Sequence, residues 1–283
     1  MDEKEVEALK AELRGIEVQA VNDVPRHRVY LRDLCDVSRR TVRTFFIPET
    51  DNLGFMAVHF FEKQLGHASA IQTLDGHRDT ALVARSMLEG LCFLKWAWHD
   101  PQRSLRWRLF TVIQEWRELR AGMAAKSVDR DARELELHAY LTANRDAILS
   151  VRALRASERG EALPADPYIT TWYSAKLKDI FAMVKAEELY DGPYGFASDW
   201  HHWSSSGLAL AMEYEGDSLE YVSSSPVFQA TAYANAFQCL AETSWFLVHH
   251  FKLDGLELLE DVINRYVEEL GRPEHGRVLP PAG

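Results

Sequence analysis

Along most of the chain apolar residues recur every three or four positions, the repeat of one face of an α-helix. Residues 3–17 carry Val6, Leu9, Leu13 and Ile16 among charges. One narrow stripe of that kind must dock on its own domain or pair with a second subunit. A second helix is predicted from near Pro25, a favourable first-turn residue, to about Phe46 before Pro48. Further helices are predicted over about 52–74 and 78–98, then over 101–126 behind Asp100-Pro101, and over 129–160. The two prolines and the glycine of 160–168 mark a linker. Beyond it come helices over about 174–189, 194–204, 227–251 and 256–270, with Leu253-Asp254-Gly255 separating the last two.

Period two occurs in one place. Met212 and Tyr214 alternate with charged residues, Gly216-Asp217 can turn, and Leu219 and Tyr221 alternate again. A small β-hairpin within 209–222 fits that pattern, and a loop fits it nearly as well. The expected fold is therefore all-α, a bundle of about ten helices with this hairpin as the exception. Residues 1–270 are expected to form one domain, because apolar helices lie on both sides of the linker and each needs covering. Residues 271–283 are expected to fray.

Two helices lack a polar face. Residues 81–98 are apolar almost all round, yet include Arg85 and Glu89 at i and i+4. Charges in such surroundings need an opposite charge or several hydrogen bonds, or their removal from water costs several kcal/mol. In 226–251, Thr231, Asn235, Gln238 and Glu242 form one stripe on a mostly apolar cylinder. Such a stripe is usually a helix's wet side; the alternative turns it inward, toward Arg85 and Glu89.

Composition narrows the function. The 283 residues can bury a full core as one large domain or two modest ones. Lys and Arg total 32 against 43 Asp and Glu, a net charge of −11, which argues against a broad phosphate-binding face but not against a small basic pocket. No apolar run approaches the roughly 20 residues of a membrane span, and the charged opening segment is not a secretory signal. Cys35, Cys92 and Cys239 are far apart and set among apolar residues. They read as buried thiols, and the expected location is the cytoplasm.

The densest chemistry lies in Tyr-Gly-Phe-Ala-Ser-Asp-Trp-His-His-Trp-Ser at 194–204. As a helix it places Tyr194, Ser198 and His202 on one face, with Asp199 one turn before His202. Asp191 and Pro193 suit its start, and Trp200 and Trp203 would bury the rest. These groups could satisfy Arg85 and Glu89, which is a sufficient structural explanation. They could also form a site, with Arg85, Glu89, Tyr194, Ser198, Asp199 and His202 as catalytic candidates and Ser204, Asn235, Gln238 and Glu242 as ligand-binding ones.

Three readings follow. In an RNA-cleaving enzyme His202 would be the general acid/base, Arg85 would neutralise phosphate, and Tyr194 and Ser198 would position it. In a metal enzyme Asp199-x-x-His202 would approximate the Glu-x-x-His of carboxylate-bridged bundles, supplemented by Glu89, Glu242 and His59. Those bundles need two such motifs and the chain has one, so no metal or cofactor is expected. In a non-catalytic protein the cluster would bind a small ligand or fix helix register. The remaining signals have plain readings: His249-His250 favours a helix dipole, and the tryptophans at 96, 98, 107 and 116 are core. The arginines at 103, 106, 108, 117 and 120 form a solvated face.

Arg85-Ser86-x-x-Glu89, followed by Tyr194-x-x-x-Ser198-Asp199-x-x-His202-x-Ser204, resembles an uncharacterised bacterial family of helical proteins, a domain of unknown function. The likeness covers about residues 60–250. Such proteins resemble in outline the HEPN bundles, many of them metal-independent ribonucleases of toxin and phage-defence systems, marked by an arginine and then a histidine four to six residues later. The resemblance implies an RNA-related or defence role, with RNA or a small ligand as partner. One departure weighs against cleavage: the family's arginine after the tyrosine is Gly195 here, so only Arg85 could supply the cation. Asp199 replaces the family's glutamate.

Overall fold

The computed structural model of the chain describes residues 3–43, 45–74, 76–122, 128–202, 212–215, 218–221 and 225–271. The protein is all-α. Its helices are α1 (Glu3–Thr41), α2 (Asn52–Thr73), α3 (Thr80–Trp98), α4 (Pro101–Arg120), α5 (Val128–Ala143), α6 (Arg145–Ile148), α7 (Val151–Glu158), α8 (Leu177–Met183) and α9 (Glu187–Leu189). A π turn (Tyr190–Tyr194) leads into α10 (Gly195–His201), and α11 (Pro226–Phe251) and α12 (Leu256–Leu270) close the order. The one period-two segment forms a hairpin, β1 (Met212–Glu215) antiparallel to β2 (Ser218–Tyr221), with Met212 opposite Tyr221. The chain divides into two compact units, residues 1–47, 57–94 and 177–283 in the first and 48–56 and 95–176 in the second.

In the first unit α11 is the central element. Ser225 caps it by accepting from the Phe228 amide, Pro226 occupies the first turn, and Lys252 ends it in the left-handed region at φ 52°. Phe228, Tyr233, Phe237, Leu240 and Leu247 are all buried on it. Helix α1 lies along α11. The two run parallel, since Ser38 meets Ser244 at 2.9 Å while Ile16 and Ala20 face Val227 and Ala230. Helix α12 returns antiparallel to both: Gly255 starts it beside Thr41, and Tyr30 of α1 donates to Glu269 near its end. Glycine is required at 255, because φ is +98° and a β-carbon there would sit 2.9 Å from Thr41 Oγ1.

Helix α1 corrects the expectation of two helices. It runs unbroken through Pro25 to Thr41, although an internal proline removes the N–H that the Val21 carbonyl would accept and costs about 3 kcal/mol. Burial of Tyr30, Leu31, Leu34, Cys35 and Ser38 outweighs that loss. The side chains of Val6, Leu9 and Leu13 lie outside the described residues, as does the tail from 272.

The second unit is built on Leu109, Ile113 and Trp116 of α4, Leu137 and Leu141 of α5, Ile148 and Tyr168. Asp100 caps α4, accepting from Gln102 N at 3.0 Å. The helix ends at Arg120, earlier than its composition suggested. The single helix expected over 129–160 is instead three pieces. At the second break Leu149 is extended and pairs with Tyr168, Ser150 N donates to the Pro167 carbonyl at 2.8 Å, and Ile169 N donates to that of Ile148 at 2.9 Å. The linker thus folds back and satisfies the backbone at the break. Residues 174–189 are likewise two helices, separated by Lys185 at φ 57°.

The arginines of α4 are clamps rather than a solvated face. Arg103 bonds the Trp96 carbonyl at 2.6 Å, Arg106 that of Ala147 at 2.8 Å, and Arg108 that of Glu49 at 2.6 Å. Arg117 reaches Asp166 at 2.8 Å and the carbonyl of Ile169 at 3.0 Å, and Arg120 the carbonyl of Ala165 at 2.8 Å. Their donors are spent on carbonyls at helix ends and in loops.

Candidate functional site

The site lies in the first unit, where α3 meets the π turn and α10. Aromatic packing fixes the short helix: Phe196 lies 4.0 Å from Phe228 between ring centres, and Ala197 is buried with Ala81 and Phe228. Trp200 Nε1 donates to Asp79 at 3.0 Å. At the other end Tyr194 packs on Phe181 at 5.4 Å and stacks on Tyr190 at 5.2 Å and 16°. Gly195 N reaches back to the Tyr190 carbonyl, closing the wide turn. Turns of this kind inside helices occur often at functional sites. A β-carbon at 195 would lie 3.2 Å from that carbonyl, tighter than ordinary contact, which accounts physically for glycine at this position.

This framework delivers the Tyr194 hydroxyl between the two charges of α3. Arg85 Nη2 donates to it at 2.9 Å, and it donates to Glu89 Oε1 at 2.9 Å. Arg85 Nη2 also lies 3.4 Å from Glu89 Oε1, with side-chain exposures of 16% and 31%. The guanidinium carbon sits 4.8 Å from the centre of the Tyr194 ring. Burial raises the Tyr194 phenol above its ordinary value, so it stays protonated and keeps donating. One donor is left over: Arg85 Nε is buried and has no hydrogen-bond partner among the described residues.

The other predicted residues are distributed differently. Ser198 is half-buried on α10, while Asp199 and His202 are exposed. His202 is the C-terminal cap, its amide bonded to the Ser198 carbonyl at 2.9 Å and its ring 4.9 Å from that of His201. Eight helical residues carry it about 12 Å along the axis from Tyr194. Ser204 lies outside the described residues. On α11 the polar stripe divides: Asn235 is buried, whereas Gln238 and Glu242 lie along the less buried line with Thr231. Gln238 Nε2 donates to Glu242 Oε1 at 2.9 Å. Among the described residues no three His, Cys, Asp or Glu side chains converge as metal ligands, and no helix is long and apolar enough to cross a membrane.

Sequence reasoning missed His67. Its Nε2 lies 3.3 Å from Ser86 Oγ, linking α2 to α3 beside Arg85, and burial lowers its pKa. Helical period places it on α2, but nothing in the sequence pairs it with Ser86.

Both sequence motifs, from Arg85 to Ser204, lie within residues 54–218, which match the model of DUF5677, a family of unknown function. The chain belongs to this family. The DUF5677 match holds Arg85, Glu89 and Tyr194 but not α11 or α12, so the triangle is built wholly from family residues. No curated protein and no solved structure matches the chain.

Proposed function

We propose that this chain is a HEPN-like helical binding protein that captures a nucleotide-type ligand at Arg85, Tyr194 and Glu89 and does not cut RNA. The observation that carries the reading is the buried Arg85 Nε, which has no hydrogen-bond partner among the described residues. Such a donor costs about 1–3 kcal/mol, and in a polar cluster it marks unused binding capacity. The triangle pairs one guanidinium with one carboxylate, so a matching ligand is close to neutral there. It offers an acceptor to Arg85 and a donor to Glu89, as a nucleobase edge does. Tyr190 already stacks on Tyr194, and the exposed Lys178, its Nζ 5.8 Å from the Tyr190 ring centre, adds a cation for a phosphate. Against cleavage stand Gly195, where the family has an arginine, and the exposed position of His202 at the end of α10.

The test is thermal unfolding with a panel of nucleosides and nucleotides, followed by calorimetric titration. At least one compound should stabilise the wild type and fail to stabilise Arg85→Met. No stabilisation by any compound would overturn the reading. A second reading, metal-independent RNA cleavage, draws on the exposure of His202 within the family segment. Degradation of total RNA by the wild type but not by His202→Ala would establish it instead.

A further inference from the structure

Independently of the Arg85 site, α1 carries a second apolar face. With 3.6 residues per turn, Val18, Val21, Pro25 and Val29 fall within about 80° of arc, roughly opposite the buried Ala20, Tyr30, Leu31 and Leu34. The three valines are 62%, 54% and 44% exposed, and Pro25 is exposed as well. Ile16, by contrast, faces Val227 on the inner side. We propose that this outward face of α1 pairs antiparallel with the same face of a second copy of the chain, forming a weak two-fold dimer.

Charge decides both the occupant and the direction. On the same arc Glu7 precedes the apolar stretch and Arg32 follows it, and both are exposed. An arc with a carboxylate at one end and a guanidinium at the other complements itself when turned end for end, which is the condition of an isologous interface. With the two-fold axis between Gln19 and Ala20, Val18 meets Val21 and Glu7 meets Arg32. Pro25 meets the stem of the exposed Arg14. Each contact occurs twice. A parallel pair would instead set Glu7 against Glu7 and Arg32 against Arg32. Arg32 is open to such a partner: its Nε lies 3.9 Å from Asp33, and its side chain is 63% exposed. The run from Glu7 to Arg32 is about 38 Å of helix axis. Its centre holds little apolar area for an obligate interface, so the dimer belongs to the weak, concentration-dependent class.

Sedimentation equilibrium of the full chain at low salt reads the dissociation constant. Glu7→Arg and Arg32→Glu should each weaken dimerisation several-fold. The double variant should return close to the wild-type value, because the reversed charges again face opposite partners. Added salt should weaken the wild-type dimer. Disulfide formation reads the direction, since Cys35, Cys92 and Cys239 are buried. A mixture of Arg14→Cys and Pro25→Cys chains should cross-link, and neither variant should do so alone. A monomer at every concentration would overturn the proposal and leave the face to a different partner. Single charge reversals without effect would overturn it too, as would cross-linking of each variant with itself, which requires a parallel pair.

Discussion

Tyr194 and Glu89, 105 positions apart, share a hydrogen bond of 2.9 Å, and the same hydroxyl accepts another from Arg85. A single phenol therefore closes a triangle that neither charge on α3 could complete alone.

Tyr194→Phe keeps the ring against Phe181 and Tyr190 and deletes both bonds. A loss of about 1–3 kcal/mol is expected, since two partly buried charged groups each lose a partner. Urea unfolding measures it; an unchanged midpoint would mean water replaces the hydroxyl at no cost.

Arg85→Leu and Glu89→Leu should each destabilise the fold, and the double variant should lose less than the sum of the two single losses. Each single change strands the opposite charge, and the double change strands none. A double-mutant cycle with zero coupling energy contradicts this.

His27 accompanies the α1–α12 contact, its Nδ1 3.0 Å from the buried Tyr266 hydroxyl. Burial lowers its pKa from the ordinary 6.5, opposed by Asp23. The unfolded chain then binds the proton more readily than the folded one. The stability it contributes is present above pH 6.5 and is lost as pH falls through the lowered folded value. His67 has the same sign. Thermal unfolding between pH 8 and 5 should show this decline, with a shallower slope in His27→Gln.

Arg106→Ala should cost about 1–3 kcal/mol by orphaning the Ala147 carbonyl. It should leave ligand binding at Arg85 unaltered, because Arg106 belongs to the other compact unit. Parallel unfolding and titration experiments separate the two effects.

Gly255→Ala should destabilise by about 1–3 kcal/mol from the left-handed backbone alone, and further because its methyl meets Thr41. The added variant Thr41→Ser should recover part of the loss, read as a shift in melting temperature.

Periodicity alone was sufficient for the all-α class and for α2, α3, α11 and α12 nearly to the residue, because those segments satisfy their own backbone; it left hairpin and loop both open for 209–222, and strand pairing decided for the hairpin. It also paired Arg85 with Glu89, since i and i+4 on a helix are neighbours whatever surrounds them. Long-range contacts decided the rest. The run of α1 through Pro25 depends on what α11 and α12 bury against it, and the break at Leu149 depends on carbonyls and amides that return from 167–169. Helical phase put Tyr194 and His202 on one face, but only tertiary packing sent the first to Arg85 and left the second in water. Phase along one helix fixes angles about its axis; which end of the helix meets another element is set by Phe196, Trp200 and Phe181 finding partners far away in the chain.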